Sequence, residues 1–278
     1  MDIRPVALVV PAQSTSDGAG VNLSRSLGSG ALDALDPFLL LDEFRSDDSA
    51  DYMGGFPDHP HRGIETVTYL LAGTMGHGDN QGNTGKLRSG DVHWMTAGRG
   101  IIHSEMPEKE EGLMWGFQLW VNLSAEQKMR EPRYQEIPAA DISTVALDGG
   151  VLVKVIAGAV EGTAGPITEI GVDPTYLDVA VPPGGEFVHA LPADYNGFCY
   201  VFEGDAVIAA GSDSIPRGNL AVLGLGEAVR IAGGIEAARV LLIAGRPHDE
   251  PIVKYGPFVM NTKEEIMQAI DDYNSGRF

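Results

Sequence analysis

The sequence predicts an all-β protein built of two small barrels with few helices, on three observations. Glycine (36) and proline (17) are numerous and spread along the whole chain. They punctuate short runs of β-branched and aromatic residues, each about as long as an ordinary strand. The third observation is an internal repeat, in which Tyr69-Leu70-Leu71-Ala72-Gly73 is echoed by Tyr200-Val201-Phe202-Glu203-Gly204. The turn Ser89-Gly90-Asp91 returns as Leu225-Gly226-Glu227, and Ala97-Gly98 as Ala232-Gly233, at nearly the same distance.

In chain order the expected strands are Ile64 to Leu71, Val92 to Thr96, Met114 to Val121, Val151 to Ile156, Tyr176 to Val181, Phe198 to Phe202, Ala206 to Ala210 and Val240 to Ile243. Two capping boxes predict helices, because an N-cap hydroxyl and a Glu or Gln three residues later satisfy free amides reciprocally. Ser124 with Gln127 opens a short one. Thr262 with Glu265 opens a longer one to about Asn274, whose Ile266, Met267 and Ile270 would dock on a barrel. The seam between the halves falls between Glu131 and Gly150, a region that exchanged strands could cross. The expected division is residues 1–135, a metal-binding barrel, and 136–278, a second barrel carrying the helix.

Acidic side chains outnumber basic ones 39 to 19, for a formal charge of -20. That balance excludes direct binding to nucleic acid, which needs a basic stripe to release counterions. With one cysteine, Cys199, no internal disulfide is possible, and the cytosol is the expected compartment. The apolar run Val6 to Val10 between Pro5 and Pro11 is too short for a signal or a membrane span.

Residues i and i+2 of a strand share a face, so His59 and His61 present two imidazoles side by side, and His103 and Glu105 pair likewise. If the two segments face each other in one barrel, three nitrogens and a carboxylate oxygen meet. Imidazole suits iron, copper, nickel, zinc and manganese alike, while the added carboxylate and absent thiolate argue against a structural zinc cage. Four ligands on an octahedral ion leave two positions for a chelating substrate or dioxygen. In the repeat, the corresponding positions carry Ala190, Pro192, Ala238 and Val240, so the second barrel lacks such a site. His77 and His93 are expected as surface or barrel-filling residues, and His189 and His248 rank lower. Arg99, Gln118 and Met95 are candidates for the pocket mouth.

The segments Phe56-Pro-Asp-His-Pro-His-Arg-Gly-Ile-Glu-Thr-Val-Thr-Tyr69 and Met95-Thr-Ala-Gly-Arg-Gly-Ile-Ile-His-Ser-Glu-Met106 resemble the pirin family of the cupin superfamily. The likeness continues through Gln118-Leu-Trp-Val-Asn122 and Gly256-Pro-Phe-Val-Met-Asn-Thr262, and so spans nearly the whole chain. It implies two jelly-roll cupin barrels packed together, with Fe(II) in the first, held at His59, His61, His103 and Glu105. Manganese, nickel, copper, cobalt or zinc could occupy the same ligands. Glu65 sits where many cupins place their carboxylate ligand, whereas pirins ligate through the later Glu, so Glu65 is assigned a supporting or structural part.

The resemblance implies an Fe(II)-dependent dioxygenase that opens flavonols such as quercetin, with Glu105 as general base. It also implies a reading of another class, a redox-sensing regulator whose iron oxidation state alters affinity for a protein partner. Quercetin bleaching with carbon monoxide release separates the first from the second.

Overall fold

Strands account for most of the chain, and the expected ones recur with shifted ends: Ile64–Ala72, Val92–Thr96, Met114–Asn122, Leu152–Ala157, Thr175–Val181, Asn196–Glu203, Asp205–Ile208 and Ala238–Gly245. This computed structural model describes residues 1–108, 112–209, 211 and 213–278, so Ala210, the expected end of one strand, lies outside the described residues. Strands absent from the sequence expectation include Val21–Leu27 and Phe38–Ser46. The latter buries seven consecutive residues from Phe38 to Phe44. A strand covered on both faces loses the alternation that betrays a half-buried one.

The chain divides into two compact units that repeat one plan, a seven-stranded and a four-stranded sheet each. One unit comprises Ser14–Gly28, Phe38–Ala139 and His248–Phe278, the other Met1–Gln13, Ser29–Pro37 and Ala140–Pro247. The crossing near residue 139 falls in the expected seam, but a single cut after residue 135 does not describe the division. Val6–Pro11 pairs with Asn219–Leu223 and so covers an edge of the second unit's large sheet. The C-terminal helix, Lys263–Asn274, belongs to the first unit instead of the second.

In the first unit the large sheet runs Arg133–Ile137, Val92–Thr96, Ile64–Ala72, Met114–Asn122, Phe38–Ser46, Val21–Leu27 and Gln13–Asp17. The small sheet runs Phe56–His61, Ile101–Pro107, Thr74–Asp79 and Thr84–Arg88. Register across the large sheet sets Glu136 opposite His93, His93 opposite Thr68, Thr68 opposite Gln118, Gln118 opposite Asp42 and Asp42 opposite Arg25. Opposed residues of antiparallel strands share a face, so one polar row crosses six strands. Gln118, Asp42 and Arg25 line the same cavity as His59, His61 and Glu105 of the small sheet.

The last segment straps this barrel. Val253–Tyr255 pairs with Phe258–Met260, and Thr262 caps the helix with the expected box to Glu265. Ile266 and Ala269 bury against Phe258 and Met260, whereas Met267 faces out, 59% exposed. Arg62, next to His61, donates to Asp272 at 2.8 Å and lies over the Phe278 ring. Lys128 is buried, and its ammonium donates to Gly63 O, Asn122 Oδ1 and Val259 O at 2.9, 2.7 and 2.9 Å.

The helix expected from Ser124 is a correction. The Lys128 amide bonds back to Ser124 O, but the chain closes only a hydrogen-bonded turn. Pro132 disfavours helical backbone at Glu131, and Arg130 O is taken by the Arg99 amide. In the second unit the interior is an apolar cluster that includes Ala238, Val240, Val201, Ile231 and Leu242. Among the described residues, no helix is long and apolar enough to cross a membrane.

Candidate metal centre

Pro57 and Pro60 give up two ladder donors, which a strand tolerates only at an edge. Phe56–His61 is such an edge strand, paired on one side with Ile101–Pro107. The register sets His103 opposite His59, then slips before Glu105, which falls opposite Phe56. His59, His61 and His103 therefore converge, with ring centroids 4.4 to 5.2 Å apart. One ligand nitrogen from each lies within 4.8 Å of the others. Glu105 is buried and lines the same cavity as His59 and His61, but its carboxylate is not in that mutual group. The slip in pairing is the local cause, since a bulge re-aims the residue beyond it.

The three rings fit a cation. Their side-chain nitrogens on His61 and His103 are buried without a hydrogen-bond partner of ordinary geometry, which in a polar interior costs free energy unless something pairs with them. His59 Nδ1 is 2.9 Å from Pro57 O, so the proton sits there and Nε2 is left bare. Burial, and then His59, push His61 down to about 3; burial, and then His61 and His59, hold His103 well below the usual imidazole range. Both rings are neutral near pH 7 with lone pairs available. Trp120 meets His61 edge-on at 5.1 Å and fixes its plane.

Glu105 is held in place by its neighbours. Its Oε1 lies 2.8 Å from the Thr68 hydroxyl and its Oε2 accepts from Gln118 Nε2 at 3.2 Å. The Thr68 hydroxyl is also 2.6 Å from Gln118 Oε1, and has one proton to give to either. Thr68→Val keeps the shape and deletes that hydroxyl. It is expected to weaken uptake of a divalent ion by about 10- to 100-fold, the usual effect of losing a group that orients a ligand, read by chelator competition.

Glu65 stands apart, with Trp94 Nε1 and Thr96 Oγ1 donating to its two oxygens at 3.0 and 2.7 Å. Burial raises its pKa, while Thr96 and Trp94 oppose the shift. Both of its oxygens are thus satisfied within the large sheet, outside the histidine group. Of the three mouth candidates only Gln118 lines the cavity; Arg99 pairs outward with Glu131, and Met95 packs with Ala97 and Ile101. Of the two places expected for His77 and His93, the barrel interior is the one they take, buried and stacked ring on ring at 4.2 Å. Sequence reasoning also missed Arg25 and Asp42, a bidentate pair at 2.8 and 2.7 Å in the cavity wall. The one sequence signal is Asp42, an acidic residue that ends the apolar run Phe38-Leu-Leu-Leu41; Arg25, between Ser24 and Ser26, gives none.

Acid should destabilise the metal-free protein through its buried imidazoles. His61 and His93 both titrate near 3 when folded, His93 through burial and then His77, against 6.5 in the open chain. Between those values the unfolded chain binds more protons, so stability is complete above about pH 6.5 and falls toward pH 3. The expected slope is roughly 1 kcal/mol per pH unit for each histidine. Urea unfolding at stepped pH measures it.

Comparison with known proteins agrees with this architecture. A family model described as Pirin matches residues 20–121, and one for the pirin C-terminal cupin domain matches 176–278. A pirin-like protein of Caulobacter vibrioides is 52% identical over 279 residues, covering 100% of both chains. Human pirin is 44% identical, over 99% of this chain and 93% of its own. The crystal structure of a quercetin 2,3-dioxygenase from Acinetobacter baumannii superposes with a TM-score of 0.91 at 33% identity, covering 99% and 98% of the two chains. With two cupin units and relatives matched end to end, the chain belongs to the pirin family.

Proposed function

We propose that the first barrel holds one divalent transition-metal ion, foremost Fe(II), on His59, His61, His103 and Glu105, and with it opens flavonols such as quercetin using dioxygen. The observation that carries this reading is the convergence of three imidazoles, two of them with buried ring nitrogens that lack a partner, beside a cavity of about 470 Å3. The name borne by the Acinetobacter baumannii structure supports the substrate class. Bound there, the ion supplies Lewis acidity to a chelating hydroxyl and a redox path to dioxygen.

The chain's own residues supply the rest. Leu40, Phe44, Phe56 and Trp120 line the cavity with apolar surface that accepts a flat ring system, and its volume suits a ligand of that size. Glu105 takes the proton of the substrate hydroxyl at a carboxylate oxygen, and Thr68 at Oε1 and Gln118 at Oε2 keep the carboxylate oriented while the proton moves. Asp42 and Arg25, farther along the same polar row, offer a hydrogen-bonding pair to the remaining hydroxyls.

Iron-loaded protein and quercetin under oxygen should bleach the flavonol band and release carbon monoxide, and Glu105→Ala should stop both. Metal analysis of protein purified without added ions identifies the resident ion among iron, manganese, nickel, copper, cobalt and zinc. A loaded protein that leaves quercetin intact would overturn the dioxygenase reading. Capture of a protein partner by one iron oxidation state alone would then support the regulator.

A further inference from the structure

A second group of metal-ligating side chains lies in the same barrel, outside the set described above. His77 is on Thr74–Asp79, His93 on Val92–Thr96 and Glu136 on Arg133–Ile137. Register places Glu136 directly opposite His93, and Gly85 directly opposite His77. One ligand atom from each of His77, His93 and Glu136 lies within 4.8 Å of the other two.

We propose that His77, His93 and Glu136 form a second site for a divalent transition-metal ion of the zinc, nickel or copper class. Two imidazoles, one carboxylate and no thiolate are the donor set such ions take, with water completing the shell.

Three features favour a shared ion over a plain ion pair. His77 Nε2 and Glu136 Oε1 are 3.1 Å apart, yet His77 Nε2 has no hydrogen-bond partner of ordinary geometry. The carboxylate oxygen is thus beside the ring nitrogen instead of in line with it. Ligand atoms about 2.1 Å from one ion are about 3.0 Å apart at a right angle and about 3.4 Å apart at the tetrahedral angle, a range that includes the observed spacing. Secondly, His93 Nε2 is buried with no partner at all among the described residues. Its ring packs against both His77 and Tyr134, the latter stacked at 5.2 Å within 4° of parallel and anchored by Tyr134 Oη donating to Asp79 Oδ2 at 2.6 Å. Thirdly, the space beside these donors is kept open by a missing side chain. A methyl group on Gly85 would collide with His77 Nε2 and crowd Glu136 Oε1 at 3.0 Å. Glu136 is about half exposed, which gives an ion a route from solvent.

The test is a zinc titration of the full chain after chelator stripping, with anomalous diffraction at the zinc edge to place the ions. Wild-type protein should take up two zinc ions, one of them between His77 and His93. Glu136→Ala, a change at an exposed side chain, should take up one, and Gly85→Ala, which fills the space while keeping all three donors, should do the same. The His61→Ala, His103→Ala double variant should keep the second ion. A wild-type protein that binds one ion unaffected by Glu136→Ala, or a Glu136→Ala protein that still binds two, overturns the proposal. One ion lost in Glu136→Ala but kept in the double variant upholds this site and overturns the first. Folding of every variant is checked by its unfolding transition.

Discussion

Replacing His103 with alanine should reduce metal-dependent flavonol turnover by more than ~100-fold, since losing even a group that merely orients a ligand costs 10- to 100-fold. His103 is the hinge of the arrangement. It stands opposite His59 across the strand pair, and its ring packs against both other histidines. Without it, an ion is left the two neighbouring nitrogens of one short edge strand and the Glu105 carboxylate, which stands outside the histidine group, so no imidazole of the facing strand closes the site. The loss should appear in metal content and in kcat together. A His103→Ala protein that keeps its ion and turns over within tenfold of the parent would show that the chemistry is elsewhere.

Lys128→Met should destabilise the first unit by about 3 kcal/mol or more, the largest single-residue stability effect expected in the barrel. The ammonium satisfies two backbone carbonyls and the Asn122 amide oxygen in a place that solvent does not reach. A methionine of similar length leaves all three acceptors buried and unpaired, at about 1–3 kcal/mol each before relaxation. Two of those acceptors, Gly63 O and Val259 O, belong to the turn after the His61 strand and to the C-terminal strap. The variant should therefore also bind metal more weakly. Denaturant unfolding with chelator present isolates the stability effect, and an unfolding midpoint unchanged from the parent would contradict it.

The three histidines were legible because strand geometry is local: two residues apart means one face, whatever the tertiary fold. Glu105 was legible as a cavity residue but not as one set off from the histidine trio, because its position depends on a slip between two strands that no pattern in the sequence marks. His77, His93 and Glu136 were opaque for a related reason. Each is the one histidine or glutamate of its own strand, and they meet only through the register of separate strands. The exchange of chain ends between units was hidden too. Val6–Pro11 reads as a short apolar run, and only the pairing with Asn219–Leu223 shows which sheet it completes. Lys128 carries no local sign of burial, and its amine turns inward only because Pro132 stops the helix that Ser124 would open.

The strap has a further consequence for how the protein is made. Lys254, Gly256 and Pro257 line the cavity beside His59 and His61, yet they follow the whole of the second unit in chain order. A ribosome emits the histidines early and the wall that closes around them more than a hundred residues later. The pocket stays unwalled until Lys254 to Pro257 have been made, and a chain interrupted before them would carry the ligands in an open trough.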